Sequence, residues 1–267
     1  MLTPVTVITG ASTGIGAALA RVFAAHGRET VVAARRAPSL NAIADQIAAT
    51  GARRPHPIVV DLARHDAAAG IADHLLSRGL EPAEIVNNAG FGRAGDAAGL
   101  DRDEQLEMID VNVRALTDMS LRFVESLERH RGGILNVASV AGFMPGPGMA
   151  VYHATKAYVV SFSQALHEEL KSRGIRVTAL CPGPVETGFQ TRAGLAKGHF
   201  LRPLLRTADR VAQEGYDGFM RGRLVVVPGF HNWLATELPR VLPRSMVRML
   251  SRAGEVLPLV TRQRQRT

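Results

Sequence analysis

The stretch "TPVTVITGASTGIGAAL", residues 3–19, decides the fold. An apolar, β-branched run (3–9) meets a turn with three glycines, Gly10, Gly14 and Gly16, and a helical pattern starts at once at Ile15. A strand–turn–helix of this kind aims free backbone N–H groups, here those of Ser12, Thr13, Gly14, Ile15 and Gly16, at a phosphate. Glycine lets a diphosphate approach the backbone closely. The spacing is G-x-x-x-G-x-G rather than the commoner G-x-G-x-x-G. A tight strand-to-helix turn with no ligand is the alternative, and placement on the first βα junction favours a nucleotide.

The rest of the chain repeats that alternation. Strand-like runs stand at 29–34, 56–60, 84–88, 133–139, 175–181 and 224–229. Helical spacing fills 15–26, 38–49, 65–78, 101–130, 151–173 and 207–221. Strands that are apolar on both faces, separated by helices, require a parallel sheet covered on each side. The expectation is an α/β fold of one doubly wound domain over 1–229, followed by a C-terminal helical appendage over 230–267. Length fits one large domain, and no repeat or linker divides it.

The chain is 46% hydrophobic and 21% charged, which suits a globular core. Its single cysteine, Cys181, cannot form an internal disulfide and reads as a small buried hydrophobe. The opening "MLTPVTVITG" has no basic leader, and no apolar run reaches the ~18 residues needed to span a bilayer, so a cytoplasmic protein is expected. The net charge of +8 is concentrated: residues 192–267 carry 14 Lys+Arg against 5 Asp+Glu. That argues against a general nucleic-acid surface and for something local. The histidines show no metal-ligand spacing, so no metal is expected.

The second strand ends in "VVAARRAP", where dinucleotide folds often place an acid for a ribose 2′-hydroxyl. Arg35 and Arg36 stand there instead. A guanidinium fork suits a 2′-phosphate, so NADP(H) is the expected cofactor over NAD. Further on, "VYHATKAY" (151–158) puts Tyr152 and Lys156 one helical turn apart on one face. By spacing alone that pair is an ordinary surface feature.

Six motifs stand in register: "TGASTGIG" (9–16), "NNAG" (87–90), Val111–Asn112, "ASV" with Ser139, "YHATK" and "PGPVET" (182–187). Together they resemble the short-chain dehydrogenase/reductases over about the first 230 residues. The resemblance implies a Rossmann-like seven-stranded sheet, a nicotinamide cofactor and a catalytic tetrad of Asn112, Ser139, Tyr152 and Lys156. Tyr152 would exchange a proton with a carbonyl or alcohol oxygen, its phenol pKa lowered by the ammonium beside it. Lys156 would also hold the nicotinamide ribose. Ser139 would bond the substrate oxygen as charge develops there. Asn112 would hold a water for proton supply, or satisfy backbone groups where the helix is interrupted. By the same resemblance Asp61 and Leu62 would meet the adenine. Asn88, Ala89 and Gly90 would floor the cofactor cleft, with a sheet-bracing role open for Asn88. Pro182, Gly183, Val185 and Thr187 would border the nicotinamide.

The substrate is framed by "GFMPGPGMA" (142–150), offering Phe143, Met144 and Met149, and by the stretch after Thr187. Both lean apolar, which favours a lipophilic carbonyl. Arg192, Lys197, Arg202 and Arg206 in the second stretch either meet a phosphorylated carrier or are solvated. A 3-oxoacyl thioester or hydroxysteroid-type reductase is the nearest alternative, and a non-catalytic NADP-sensing or scaffolding protein is an alternative of another class. Self-association through 101–130 and 151–173 is expected, as a dimer rather than a tetramer. In the appendage, Pro239 and Pro243 should break any long helix, with Pro243 starting a second, basic one bearing Arg244, Arg248 and Arg252. It would pack on its own domain, pack on a partner subunit, or lie on an anionic membrane as a peripheral contact.

Overall fold

A computed structural model of the chain describes residues 2–194, 206–243 and 246. The apolar runs do what their two bare faces require: they pair side by side as seven parallel strands and are covered above and below. The strands are β1 (Thr3–Thr9), β2 (Thr30–Ala34), β3 (His56–Val59), β4 (Leu80–Asn87), β5 (Gly133–Val137), β6 (Arg176–Leu180) and β7 (Val225–Val226). Their order is β3-β2-β1-β4-β5-β6-β7. The chain winds outward from β1 to β3, returns, and winds the other way from β4. The crevice between β1 and β4, at the carboxyl ends of the strands, is the place such a sheet offers a ligand.

Helices α1 (Gly14–Ala25), α2 (Ala37–Ala48) and α9 (Ala208–Met220) cover one face, burying Phe23, Leu19, Leu40 and Phe219 against Ile8, Val32 and Leu180. On the other face lie α3 (Ala67–Ser77), α5 (Leu116–Arg122), α6 (Val124–Arg129) and α7 (Ala150–Lys171), enclosing Val7, Ile71, Ile85, Met119 and Leu166. At ~25 cal/mol per Å² of apolar surface, these two layers supply most of the drive to fold.

Four local expectations are corrected. The strand expected at 84–88 begins at Leu80, because Pro82 is accommodated where the β1–β4 register shifts between Val5 and Thr6. The strand expected at 224–229 shortens to two residues. The single helix expected over 101–130 is three helices: α4 (Arg102–Ile109), a π-helical turn Asp110–Ala115, then α5 and α6 divided at Phe123. The π turn holds Asn112, whose side chain bonds outside its own helix. Pro239 does not break its helix: α10 runs Phe230–Val241 with Pro239 inside its last turn. Only two helical residues follow it, and Leu242, extended before Pro243, ends the element.

The sites expected at Lys197, Arg202, Arg244, Arg248 and Arg252, and the helix from Pro243, lie outside the described residues apart from the exposed Met246. Among the described residues, no helix is long and apolar enough to cross a membrane.

Candidate active site

The glycine turn is built by crowding. Gly10 and Gly14 have φ of 64° and 59°, a region that favours glycine. A Cβ on Gly10 would lie 2.8 Å from Ala89 Cα, and one on Gly16 would overlap the Asn88 side chain and the Gly10 carbonyl. Asn88 is the reason for the crowding: its Nδ2 donates to Thr9 O (2.9 Å) and Gly10 O (3.2 Å), and its N–H donates to Thr9 Oγ1 (3.0 Å). The sheet-bracing role left open for Asn88 is therefore present, and it fixes the turn. Ser12, Thr13 and Gly14 open onto a cavity of about 630 Å³ that Glu186 and Thr187 also line. Thr187 reaches the turn itself, since a Cβ on Gly14 would meet its methyl at 3.1 Å.

At the end of β5, Ser139 starts a 3₁₀ turn (Val140–Phe143), its hydroxyl accepting from Ala141 N–H (3.1 Å). Lys156 on α7 is 5% exposed and donates to Val137 O (2.8 Å), which draws α7 to the same strand end. Tyr152, one turn earlier, has its ring centroid 6.0 Å from the Lys156 ammonium. Asn112 is fully buried. It accepts from Phe91 N–H (3.1 Å) and donates to Phe91 O (2.9 Å) and Thr155 Oγ1 (3.0 Å), joining the π turn, the loop after β4 and α7. Gly90 lies between Asn112 and Lys156; a Cβ there would meet Asn112 Oδ1 at 2.9 Å. The structure thus brings Asn112, Ser139, Tyr152 and Lys156 together beside the glycine turn.

The electrostatics correct one expectation. Burial pushes the Tyr152 phenol up to about 12, opposed only by its hydrogen bond with Ser139, rather than the ammonium drawing it down. Burial likewise pushes Lys156 down to about 8. Cys181 itself is buried and its thiol pushed up to about 12 by burial, so it stays protonated and inert, as a small hydrophobe should.

The remaining sites sort by surroundings. Arg35 and Arg36 stand at the end of β2, Arg35 exposed and 3.5 Å from Glu107 of α4, Arg36 leading into α2. Asp61 follows β3 and accepts from Ala63 N–H (3.1 Å); Leu62 is buried beside it. Pro182 O accepts from Val140 N–H (3.0 Å), Gly183 is closed off by Asn232 of α10, and Val185 is buried. Met149 lies against Tyr152: a Cβ on Gly92 would find Tyr152, Phe189 and Met149 atoms all within 2.9–3.1 Å. Met144 offers its carbonyl to the His153 ring (2.9 Å). Phe143 packs toward Ala138, Val159 and Cys181 and lines a separate cavity of about 410 Å³ with Trp233. Arg206 is paired with Glu214.

Sequence reasoning missed three features. Phe189, on the short helix α8 (Phe189–Arg192), sets its ring 5.3 Å from that of Tyr152. Gly92 leaves the room in which they meet. Asn87 donates to Ser120 Oγ and Asn136 Oδ1 (both 2.9 Å), and Asn136 donates to Ser163 Oγ (2.9 Å), a buried polar chain locking β4, β5, α5 and α7. The first Asn of "NNAG" was the available signal for that chain. Among the described residues, no group of three or more His, Cys, Asp or Glu could hold a metal ion.

Residues 4–197 match the family model of the short chain dehydrogenases. An uncharacterized oxidoreductase of Myxococcus xanthus is 32% identical over 241 residues, 90% of this chain and 92% of that protein. Among solved structures, a short-chain dehydrogenase from Sphingobium yanoikuyae in complex with NADPH is 30% identical with a TM-score of 0.78, covering 99% of this chain and 98% of that one. The bulky-bulky ketone specific alcohol dehydrogenase from Comamonas testosteroni is 27% identical with a TM-score of 0.74, covering 100% and 98%.

Proposed function

The chain belongs to the short-chain dehydrogenase family and is an oxidoreductase that uses a nicotinamide cofactor, and from that premise we propose that it is an NADPH-dependent reductase of a lipophilic ketone or aldehyde. The observation that carries the reading is a half-buried Tyr152, hydrogen-bonded with Ser139 and one turn from a buried Lys156, beside the glycine turn.

The residues fit the cofactor. The crowded turn at Gly10–Gly16 exposes N–H groups where no side chain could stand, which suits a diphosphate. Arg35 and Arg36 would hold a 2′-phosphate, Asp61 and Leu62 the adenine, and Asn88, Ala89, Gly90, Lys156 and the 182–187 segment the nicotinamide end. A reduced nicotinamide, when bound, supplies the hydride. Tyr152, protonated throughout the neutral range because burial raises its pKa, gives its proton to the carbonyl oxygen as that oxygen gains charge. Ser139 donates to the same oxygen. Lys156, still mainly protonated at neutral pH, stabilises the phenolate left behind.

Met149 and Phe189 give Tyr152 an apolar surround, which suits a bulky carbonyl; the Comamonas neighbour is described as specific for bulky-bulky ketones. A 3-oxoacyl thioester or a steroid ketone would fit the same wall. The domain boundary at 229/230 and a cytoplasmic location are part of this reading, with an anionic membrane surface as the competing placement for 230–267. Self-association would use exposed Leu106, Ile109 and Leu121 with Tyr158 of α7, as a dimer. Light scattering at micromolar concentration should give twice the chain mass; a monomer refutes that interface.

The deciding experiment is turnover of a carbonyl panel with NADPH and NADH. Higher kcat/KM with NADPH on apolar ketones is expected. Absence of turnover across the panel would favour the non-catalytic reading.

A further inference from the structure

Helix α8 is four residues long, too short to keep its place through its own backbone bonds. Its position is set from outside, and residues 92–95, just past the "NNAG" turn, supply ties to it. Ala94 N–H donates to Ala193 O (2.9 Å). Arg93 Nη1 donates to Arg192 O (2.6 Å). Gly92 is buried, and a Cβ there would meet Tyr152 at 2.9 Å, Phe189 at 3.0 Å and Met149 at 3.1 Å. Gly95 N–H donates to Gly148 O (2.7 Å), in the turn that leads into α7. Four consecutive residues therefore reach the Tyr152 ring and both segments that were expected to frame the substrate.

Arg93 is itself held. Its Nε donates to Glu104 Oε1 on α4 (2.6 Å), and its Nη2 donates to the same oxygen. Both side chains are half-buried. Glu104 is the third residue of a helix capped by Asp101, which accepts from the Glu104 N–H (2.8 Å). A glutamate at that place ordinarily turns back to the N–H of the capping residue. Here it is turned outward to Arg93. The carboxylate spends two bonds on orienting one guanidinium, and the third N–H of that guanidinium reaches the backbone of α8.

We propose that Arg93, oriented by Glu104, is a positioning residue that sets the width of the substrate cleft and so limits the bulk of the carbonyl substituent accepted beside Tyr152. The inference rests on the reductase reading above and deepens it. Phe189 lies three residues before Arg192 on α8, its ring 5.3 Å from that of Tyr152. With Arg192 O held, that wall yields to a larger group only by breaking a charge-assisted bond. With the bond removed, α8 is free to move outward and the limit is relaxed. Arg93 acts through Phe189 and takes no part in proton or hydride transfer.

The test measures initial rates of the full chain with saturating NADPH and two ketones, acetophenone and isobutyrophenone. They share a phenyl group and differ in the second substituent, methyl against isopropyl. Arg93→Met should raise KM for acetophenone by about tenfold, the scale of one charge-assisted hydrogen bond, and leave kcat within about twofold. For isobutyrophenone KM should rise by only about twofold, so the ratio of kcat/KM shifts about fivefold toward the bulkier ketone. Glu104→Leu should reproduce this pattern, and the double variant should be no worse than either single one, because both remove the same tie. Glu104→Gln, which still accepts from Arg93, should stay near wild type. Hydrogen exchange at 189–193 should quicken in Arg93→Met and Glu104→Leu and not in Glu104→Gln. An unchanged ketone ratio in Arg93→Met, a joint fall in kcat and NADPH affinity, or single effects that simply add would each overturn the proposal. If wild type reduces no carbonyl at all, the reductase reading falls and this inference with it. If wild type turns over and the variants behave like it, that reading stands and this inference alone falls.

Discussion

The two sides of the cleft are held by different means. The cofactor side is fixed by backbone: Asn88 bonds Thr9 and Gly10, and a methyl group on Gly10 or Gly16 has no space. The substrate side is fixed by side chains reaching over from other segments: Arg93 and Ala94 grip α8, the His153 ring grips Met144, and Asn232 of α10 fills the space over Gly183. The first kind of architecture tolerates little change and serves one ligand. The second lets a family alter what it binds by altering a few contacts, without disturbing the sheet.

The comparison breaks hardest at Tyr152, where the two sides meet. Tyr152→Phe removes one oxygen and keeps the ring against Phe189 and Met149. Turnover should fall by roughly 10²–10⁴-fold, the usual contribution of a positioned general acid, while cofactor affinity stays near wild type. Steady-state rates with cofactor titration check both; near-normal turnover would remove Tyr152 from the chemistry.

Lys156 sharpens the comparison through stability. Burial lowers its native pKa to about 8, below the ordinary 10.5, so between those values the unfolded chain holds a proton that the native state has lost. Stability therefore rises with pH across that window, and below it the buried charge costs about 3 kcal/mol. Tyr152 acts oppositely: above about 10 the unfolded phenol ionises while the native one stays protonated up to about 12, so its share of stability is lost as pH climbs. In Lys156→Met the first effect vanishes. Denaturant melts from pH 7 to 10 should show a variant advantage that is constant below pH 8 and shrinks above it. A gap independent of pH means that Lys156 is not desolvated.

These strengths of fixation also explain what could be read from sequence. The glycine turn, the seven strand runs and the tetrad positions are local patterns or fixed spacings, so residues 3–16 and 151–158 carried them openly. The break at 110–115 was legible only as one of two readings of Asn112; the group it serves was not, because Phe91 lies 21 residues away. Phe189 and Gly92 were missed for the same reason: nothing within either segment signals that they meet at Tyr152. Pro239 misled because the bond it gives up to the carbonyl four residues back ends the helix two residues later, at Val241, and not at the proline itself.

A smaller effect is expected at Arg35. Arg35→Asp should lower the NADPH-to-NADH ratio of kcat/KM by at least about tenfold, since it replaces a phosphate partner with a repelling carboxylate and leaves the glycine turn intact. Parallel kinetics with the two cofactors check it. An unchanged ratio would move the phosphate away from the end of β2.

The smallest effect belongs to the outer face of α10. Phe230 is 70% exposed, stacks on Trp233 at 5.7 Å and meets the neighbouring His231 edge-on, and Leu234 is also exposed, whereas Thr236 is fully buried and bonds Trp233 O (2.7 Å). The inner face therefore packs on the molecule's own 140–143 turn and the outer face does not. Phe230→Ser with Leu234→Ser should change unfolding free energy by under about 0.5 kcal/mol, while Thr236→Asp should cost several times more by burying a charge. If the outer face instead meets an anionic membrane, the double serine variant will lose sedimentation with phosphatidylserine vesicles at low salt at unchanged stability. Trp233, the chain's single tryptophan, then shifts its emission to the blue in wild type only. A double variant that unfolds early would show that α10 is held by both faces, and the contrast between a bonded and an unbonded side of the molecule would end at residue 229.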